Sequence, residues 1–254
     1  IDYTLTIMWV KIFLLIFVFS FLFRTDHSFD QDLGRHIKLG EIIWQTKEVP
    51  KNNLFSYTNP DFPFINTHWL FEVLVYGIDQ TIGLQWMLIL KIIIFLLSVW
   101  LIIKTIPKEN QNLLLPVGFI FLHVLSERLE LRPEIFSFLF TALTYYILEV
   151  SLRSANRRRS NLLFVLPFIQ LIWINTHIYF FVGLVLQAIF LIHLFLKRTG
   201  VKLDHPPGGT RWHLLLTSLF LSTIVSFLNP NGLVGVLYPL SVAKNYGYTI
   251  VENQ

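Results

Sequence analysis

Long apolar runs separated by short polar joints make up most of the chain, with one exception near its start. The runs are Ile7–Phe23, Leu84–Ile106, Asn112–Glu127, Pro133–Leu152, Asn161–Asn175, Ile178–Leu196 and Trp212–Leu228. A helix needs roughly 20 mainly apolar residues to cross the hydrocarbon of a bilayer. The pattern therefore predicts seven membrane-spanning helices, of which Asn112–Glu127 and Asn161–Asn175 are short. The exception is Phe29–Glu72, a polar stretch held between greasy ones. Within it Leu33, Ile37, Gly40 and Trp44 recur at spacings of four and three, which predicts one apolar face of a short helix. Val49-Pro50 ends that helix, because proline disfavours helical geometry in the residue before it. Asn52–Asn66 reads as extended chain with a turn at Asn59-Pro60-Asp61. Trp69–Gly83 is apolar on one side and carries Glu72 and Asp79 on the other, which predicts an amphipathic helix lying in the membrane interface. The expected fold is all-α: a polytopic transmembrane helix bundle whose long first loop, residues 24–83, carries short amphipathic helices.

Charge orients this bundle. With Trp69–Gly83 in the interface, Lys104/Lys108, Arg153/Arg157/Arg158/Arg159 and Lys197/Arg198/Lys202/Arg211 all fall on one side. Basic loops mark the cytoplasmic face, so the N-terminus is expected there. The first loop, the Arg128–Glu134 turn, the Asn175–His177 break and the Asn229–Asn231 turn then face outward. Composition agrees: charged residues make up 14% of the chain, against roughly 25% in a soluble domain. The net charge of +4 resides in these anchors and gives no reason to expect a nucleic-acid partner. The chain has no cysteine, which excludes disulfides and thiolate metal sites. The first apolar run is too long for a signal-peptide core and has no small-residue cleavage site, so it reads as a membrane helix. The chain opens on Ile1 and ends without a closing span, so residues 1–254 are expected to form the N-terminal part of one transmembrane domain, its C-terminal part missing.

Candidate chemistry collects in the outward segments. Asp30 and Asp32 precede the first short helix, where a carboxylate caps the N-terminus and is favoured by the helix dipole. A cap needs only one of them, and Asp32 stands four before His36 on one helical face. There it can orient the imidazole or accept a proton itself. His68 and Glu72, again four apart, share a face, either as a structural hydrogen-bonded pair or as part of a site. Arg132 reads as a phosphate clamp or as the partner of Glu130 or Glu134. Lys91 interrupts an apolar span, as a snorkelling anchor or as a cation near a phosphate. His177 faces the site or bonds Asn175. Phe55, Tyr57, Phe62, Phe64 and Trp69 form an aromatic set suited to a membrane belt. Asn229-Pro230-Asn231-Gly232 is a turn by its chemistry.

Taken together, these residues resemble a known family pattern. The stretch Asp30, Asp32, Leu33, His36, Ile37, Gly40, Glu41, Ile43, then Val49-Pro50, Phe55-Ser56-Tyr57-Thr58 and His68-Trp69-Leu70-Glu72, is similar to the first loop of an uncharacterised bacterial branch of the GT-C glycosyltransferases. That class includes protein O-mannosyltransferases and lipid A aminoarabinose transferases. Arg132-Pro133, Trp173-Ile-Asn175-Thr-His177 and Asn229-Pro230-Asn231-Gly232 also resemble that branch. His68 and Trp69 are adjacent here, where the branch often has one residue between them.

The resemblance implies a membrane glycosyltransferase in the bacterial inner or plasma membrane, drawing on a polyprenyl-phosphate sugar. It would work on the extracytoplasmic side on a glycan, lipid or protein acceptor. An acid of the first loop, Asp32 or Asp30, would be the base. Arg132, His36, His68, Glu72, Lys91 and His177 would line the substrate or bind its phosphate. A divalent metal between Asp32 and the phosphate is compatible with a two-aspartate motif but not demanded by it. Two rival classes are a transporter or flippase of lipid-linked substrates and a non-catalytic membrane assembly protein. A transporter predicts mid-membrane ionisable groups and repeat symmetry. Only Lys91 answers the first, and no repeat is visible.

Overall fold

The structure is a computed structural model and describes residues 3–23, 31–59, 61–125, 130–153, 157–198 and 212–242. Helices make up most of the described residues: α1 Tyr3–Leu22, α2 Leu33–Thr46, α3 Trp69–Thr81, α4 Gln85–Thr105, α5 Leu114–Leu125, α6 Glu134–Arg153, α7 Arg157–Ser160, α8 Leu166–Thr176, α9 Phe181–Arg198, α10 Trp212–Val225 and α11 Gly232–Val242. Short 3-10 segments lead into α5, α8 and α9, at Lys108–Leu113, Asn161–Val165 and Ile178–Phe180. No strand forms among the described residues, although an isolated bridge pairs Asn52 with Pro63 in the first loop.

Among the described residues three helices are long and apolar enough to cross a membrane, at Gln85–Thr105, Glu134–Arg153 and Ile178–Leu196. Four further apolar helices, Ile7–Ser20, Asn161–Thr176, Trp212–Val225 and Gly232–Val242, are shorter. The predicted run Asn112–Glu127 divides between a 3-10 segment and α5, and Asn161–Asn175 divides between a 3-10 segment and α8. In the second case Pro167 stands in the first turn of α8, where its missing N–H costs nothing. The chain also forms α11, which the apolar pattern did not predict.

Helix α6 joins two cores. On one side Phe71, Val75, Met87, Ile92, Phe95 and Ile135 tie α3 and α4 to α6. On the other, Phe140, Leu148, Leu166, Trp173, Phe180 and Leu215 tie α6 to α8 and α10. Large apolar side chains left exposed, such as Ile93, Leu97 and Trp100 on α4 and Ile189, Ile192 and Phe195 on α9, suit contact with lipid. A polar seam runs between α8, α9 and α10. Gln187 Oε1 accepts from Ser218 at 3.2 Å and from Ser222 at 3.4 Å. Gln170 donates to Ser226 Oγ and to the Phe180 carbonyl, both at 3.1 Å. Such bonds hold helices together where lipid on the outside is as apolar as leucine.

Helix α2 packs tightly on α3 through Gly40. A Cβ there would lie 2.6 Å from the Glu72 carbonyl carbon and closer still to its oxygen. The buried face of α2 is Leu33, His36, Leu39, Gly40 and Ile43. This corrects the predicted face: Ile37 is half-buried and Trp44 is exposed. The polar His36 is drawn inward because its partner, Glu72, stands on the facing helix. The loop aromatics Phe55, Tyr57 and Phe62 are exposed.

Candidate functional site

Five segments meet at one end of the bundle. Helix α2 supplies His36 and the first turn of α3 supplies Glu72, with Asn66–His68 just before it. The start of α6 supplies Ser137, the α8–α9 break Asn175 and His177, and the turn before α11 Asn231.

Glu72 is the anchor. It is 1% exposed. Its Oε1 lies 3.2 Å from His36 Nδ1, and its Oε2 accepts from Asn66 Nδ2 at 2.6 Å. Asn66 in turn accepts from the His68 backbone N–H at 2.9 Å, and its carbonyl accepts from Asn231 Nδ2 at 3.1 Å. The Trp69 indole donates to Asn175 Oδ1 at 2.7 Å, and Asn175 donates to the Leu171 and Leu228 carbonyls. The loop is thus stapled to the ends of α8 and α10.

Three imidazoles stand in a row. The His36 and His68 ring centres are 5.9 Å apart, and those of His68 and His177 are 5.3 Å apart. Each ring has its Nδ1 occupied: His36 by Glu72, His68 by Thr67 Oγ1 at 3.3 Å, and His177 by Ser137 Oγ at 2.8 Å. Among the described residues no partner meets any of the three Nε2 atoms. The partners assign the protons. A carboxylate that accepts at both oxygens takes the His36 proton at Nδ1, leaving the Nε2 lone pair outward. Ser137 accepts from the Trp173 indole at 2.8 Å, and among the described residues no acceptor but His177 Nδ1 meets its hydroxyl, so the arrangement that spends that proton donates it to His177 Nδ1 and keeps the His177 proton on Nε2. The two outer rings of the row therefore present opposite hydrogen-bonding characters. Loss of hydration lowers the His177 pKa to about 3, with the His36 imidazole contributing. His68 is held well below the usual histidine value by loss of hydration, then by His177, His36 and the Arg35 guanidinium.

The other residues singled out in the sequence lie as follows. Asp32 occupies the N-cap position of α2 but makes no side-chain cap bond. It pairs with Arg35 at 3.2 Å, both side chains being exposed. It bonds His36 only through the backbone, from the His36 N–H to the Asp32 carbonyl at 3.1 Å, so Glu72 and not Asp32 orients the imidazole. Asp30 lies outside the described residues. Arg132 is paired with Glu130, its Nε at 3.0 Å and its NH2 group at 2.8 Å from one carboxylate oxygen. Lys91 is 1% exposed inside α4, close enough to Glu130 for the two charges to interact. His68 and Glu72 do not bond each other through their side chains; they are linked through Asn66. Among the described residues no group of three or more His, Asp or Glu side chains is arranged to hold a metal.

The sequence reading missed Asn66, Thr67, Ser137 and Arg35. Asn66 and Thr67 stand directly before His68, so the run Asn-Thr-His was a signal. Ser137 carried none, being one small hydroxyl in an apolar helix. No family model matches this chain, and comparison with curated proteins and with solved structures finds no significant match.

Proposed function

We propose that the protein is a membrane glycosyltransferase that moves a sugar from a polyprenyl-phosphate donor to an extracytoplasmic acceptor. The observation that carries this reading is the gathering of His36, Glu72, His68, His177 and Asn66 at one end of an apolar bundle. Helix α6 starts at that end and runs to Arg153, α8 arrives there from Arg157–Arg159, and α9 leaves it toward Lys197 and Arg198. The basic stretches thus lie at the far ends of the same helices. By the positive-inside rule the far end is cytoplasmic and the polar end extracytoplasmic. A lipid-linked donor suits that position: its isoprenoid stays among apolar helices while its phosphate reaches polar groups at the surface. Attack opposite the phosphate inverts the anomeric centre. Arg35, whose charge acts on His68, is the cation beside the cluster and would meet the developing charge.

The test is made in cells by deleting the gene and analysing glycans and lipid-linked sugars by mass spectrometry. The reading expects one surface glycan to disappear while its polyprenyl-phosphate sugar accumulates in the outer leaflet, open to an impermeant periodate label. Accumulation shielded from the label supports a transporter instead. Unchanged glycans sink the transferase reading.

A further inference from the structure

Resting on the glycosyl-transfer reading, we infer that the proton acceptor of the reaction is His36 Nε2, with Glu72 as its positioning residue, and not Asp32. A general base needs an atom able to take a proton, a fixed direction and shelter from water. Asp32 has the first alone, since it is exposed and paired with an arginine that is itself exposed.

His36 meets all three requirements. Its ring is 4% exposed. Nδ1 is tied to Glu72 Oε1 at 3.2 Å, which leaves the basic lone pair on Nε2. The ring also stands edge-on to Phe71, with centres 5.3 Å apart, so it is held by packing as well as by its bond. Glu72 is fixed in turn by Asn66 at 2.6 Å. Asn66 is held by the His68 N–H and by Asn231. Gly40 brings the two helices close enough for the pair to form, because a side chain there would collide with the Glu72 backbone. A carboxylate that fixes the ring and its tautomer is the arrangement a catalytic histidine requires.

The neighbouring rings complete the assignment. His177 presents an Nε2–H, the opposite character to His36, because the Trp173–Ser137 relay fills its Nδ1. An acceptor hydroxyl set at His36 Nε2 gives up its proton there as its oxygen bonds to the anomeric carbon. The bond from that carbon to the phosphate oxygen breaks, and its electron pair leaves with the polyprenyl phosphate. The His177 Nε2–H donates a hydrogen bond toward the leaving oxygen, and His36 returns its proton to water.

The experiment uses the full-length protein in the deletion strain, with equal membrane levels confirmed for each variant. His36→Ala is expected to lower the glycan about 100-fold or more, the scale of a lost general base. Imidazole added to the medium is expected to restore it in part. Glu72→Asp keeps a carboxylate and is expected to retain more glycan than Glu72→Gln. Asp32→Asn is expected to remain near wild type. Four results would overturn the assignment: a His36→Ala strain with normal glycan, a loss that imidazole does not relieve, full activity in His36→Gln, or loss in Asp32→Asn with His36→Ala intact. Each of these leaves the transferase reading standing, since the deletion strain still lacks the glycan. If the deletion itself changes no glycan, the underlying reading fails instead.

Discussion

Two polar regions stand out among the described residues of this apolar protein, and they differ in what they leave over. In the seam between α8, α9 and α10, Gln187 is surrounded by Ser218, Ser222 and the Gly183 carbonyl. Ser218 also reaches the Leu163 carbonyl at 2.7 Å. No buried polar side-chain atom of the seam lacks a partner. The site at the end of the bundle is bonded as densely, yet three imidazoles use one nitrogen each and leave the other without a partner among the described residues. A polar group whose bonds are all spent inside the protein assembles helices. One held firmly at one atom and left open at another is equipped for chemistry.

The largest effect that separates the two regions is expected at Gly40. In Gly40→Ala the new methyl lies against the Glu72 backbone, at 2.6 Å from its carbonyl carbon and 2.8 Å from Tyr76 Cβ. Backbone cannot give way as a side-chain tip can, so α2 and α3 must separate, at about 3 kcal/mol by the usual scale of overpacking. Unfolding in mixed detergent micelles measures this. Gly34→Ala and Gly77→Ala meet nothing within 4 Å and are the controls, expected to be neutral or to stabilise by up to about 1 kcal/mol through helix propensity. If all three behave alike, the close α2–α3 approach is not what builds the site.

Next come the two anchors. Glu72→Ala strands the His36 Nδ1–H and the Asn66 amide in a buried place, at about 2 kcal/mol for the pair on the scale of unmet groups. Gln187→Leu removes the centre of the seam but leaves small hydroxyls that can turn to their own helix carbonyls. Its cost is expected nearer 1 kcal/mol, in line with interhelical bonds in membranes. The functional readouts should separate more sharply, with the glycan lost in Glu72→Ala and kept in Gln187→Leu. Equal glycan loss in both at matched membrane levels would erase the distinction.

Acid should also find the site before the seam, which has no titratable group. The pKa of His177 is lowered in the folded protein to about 3, so the folded state refuses a proton that the unfolded chain takes up below about 6.5. The stabilisation is complete above the unfolded value and is lost as pH falls toward the folded one. The slope approaches about 1.4 kcal/mol per pH unit for a single such histidine. His68, lowered in the same direction, adds to it. His177→Gln is expected to flatten the stability–pH curve between about pH 6 and pH 4. An unchanged slope would mean that His177 does not titrate with unfolding.

The sequence made the scaffold easier to read than the site, and for a physical reason. Length and apolar content locate α4, α6 and α9, because crossing hydrocarbon is a requirement on composition. The site depends on contacts between distant residues, such as His36 with Glu72 and Trp69 with Asn175, which local spacing cannot encode. The four-residue step from Asp32 to His36 suggested a pair, but such a step places both on one helix face only on average. The facing helix offered a better buried acceptor in Glu72. His68, Glu72 and His177 were legible as unusual polar residues in apolar surroundings. Ser137 was not, because only its position opposite Trp173 and His177 gives its hydroxyl a role.

The smallest expected effect tests whether the staples between loop and bundle belong with the site or with the seam. The Trp69 indole N–H donates to Asn175 Oδ1 at 2.7 Å, across the boundary between the first loop and α8. Trp69→Phe keeps an aromatic body and removes the donor. Asn175 still spends its amide on the Leu171 and Leu228 carbonyls, so it stays in place and only its oxygen loses a partner. Asn175 is buried, but an open cavity lined by Trp69, Leu171, Asn175 and Pro230 lies beside the pair; water there can replace the indole, and the cost is expected at about 0.5–1.5 kcal/mol. If the staple also sets the position of His68, the residue before Trp69, the variant should lower the glycan by more than its small stability loss explains. If it behaves like a seam residue, the glycan level should follow the amount of folded protein and nothing else. Measuring both quantities in Trp69→Phe and Gln187→Leu places the staple on one side or the other.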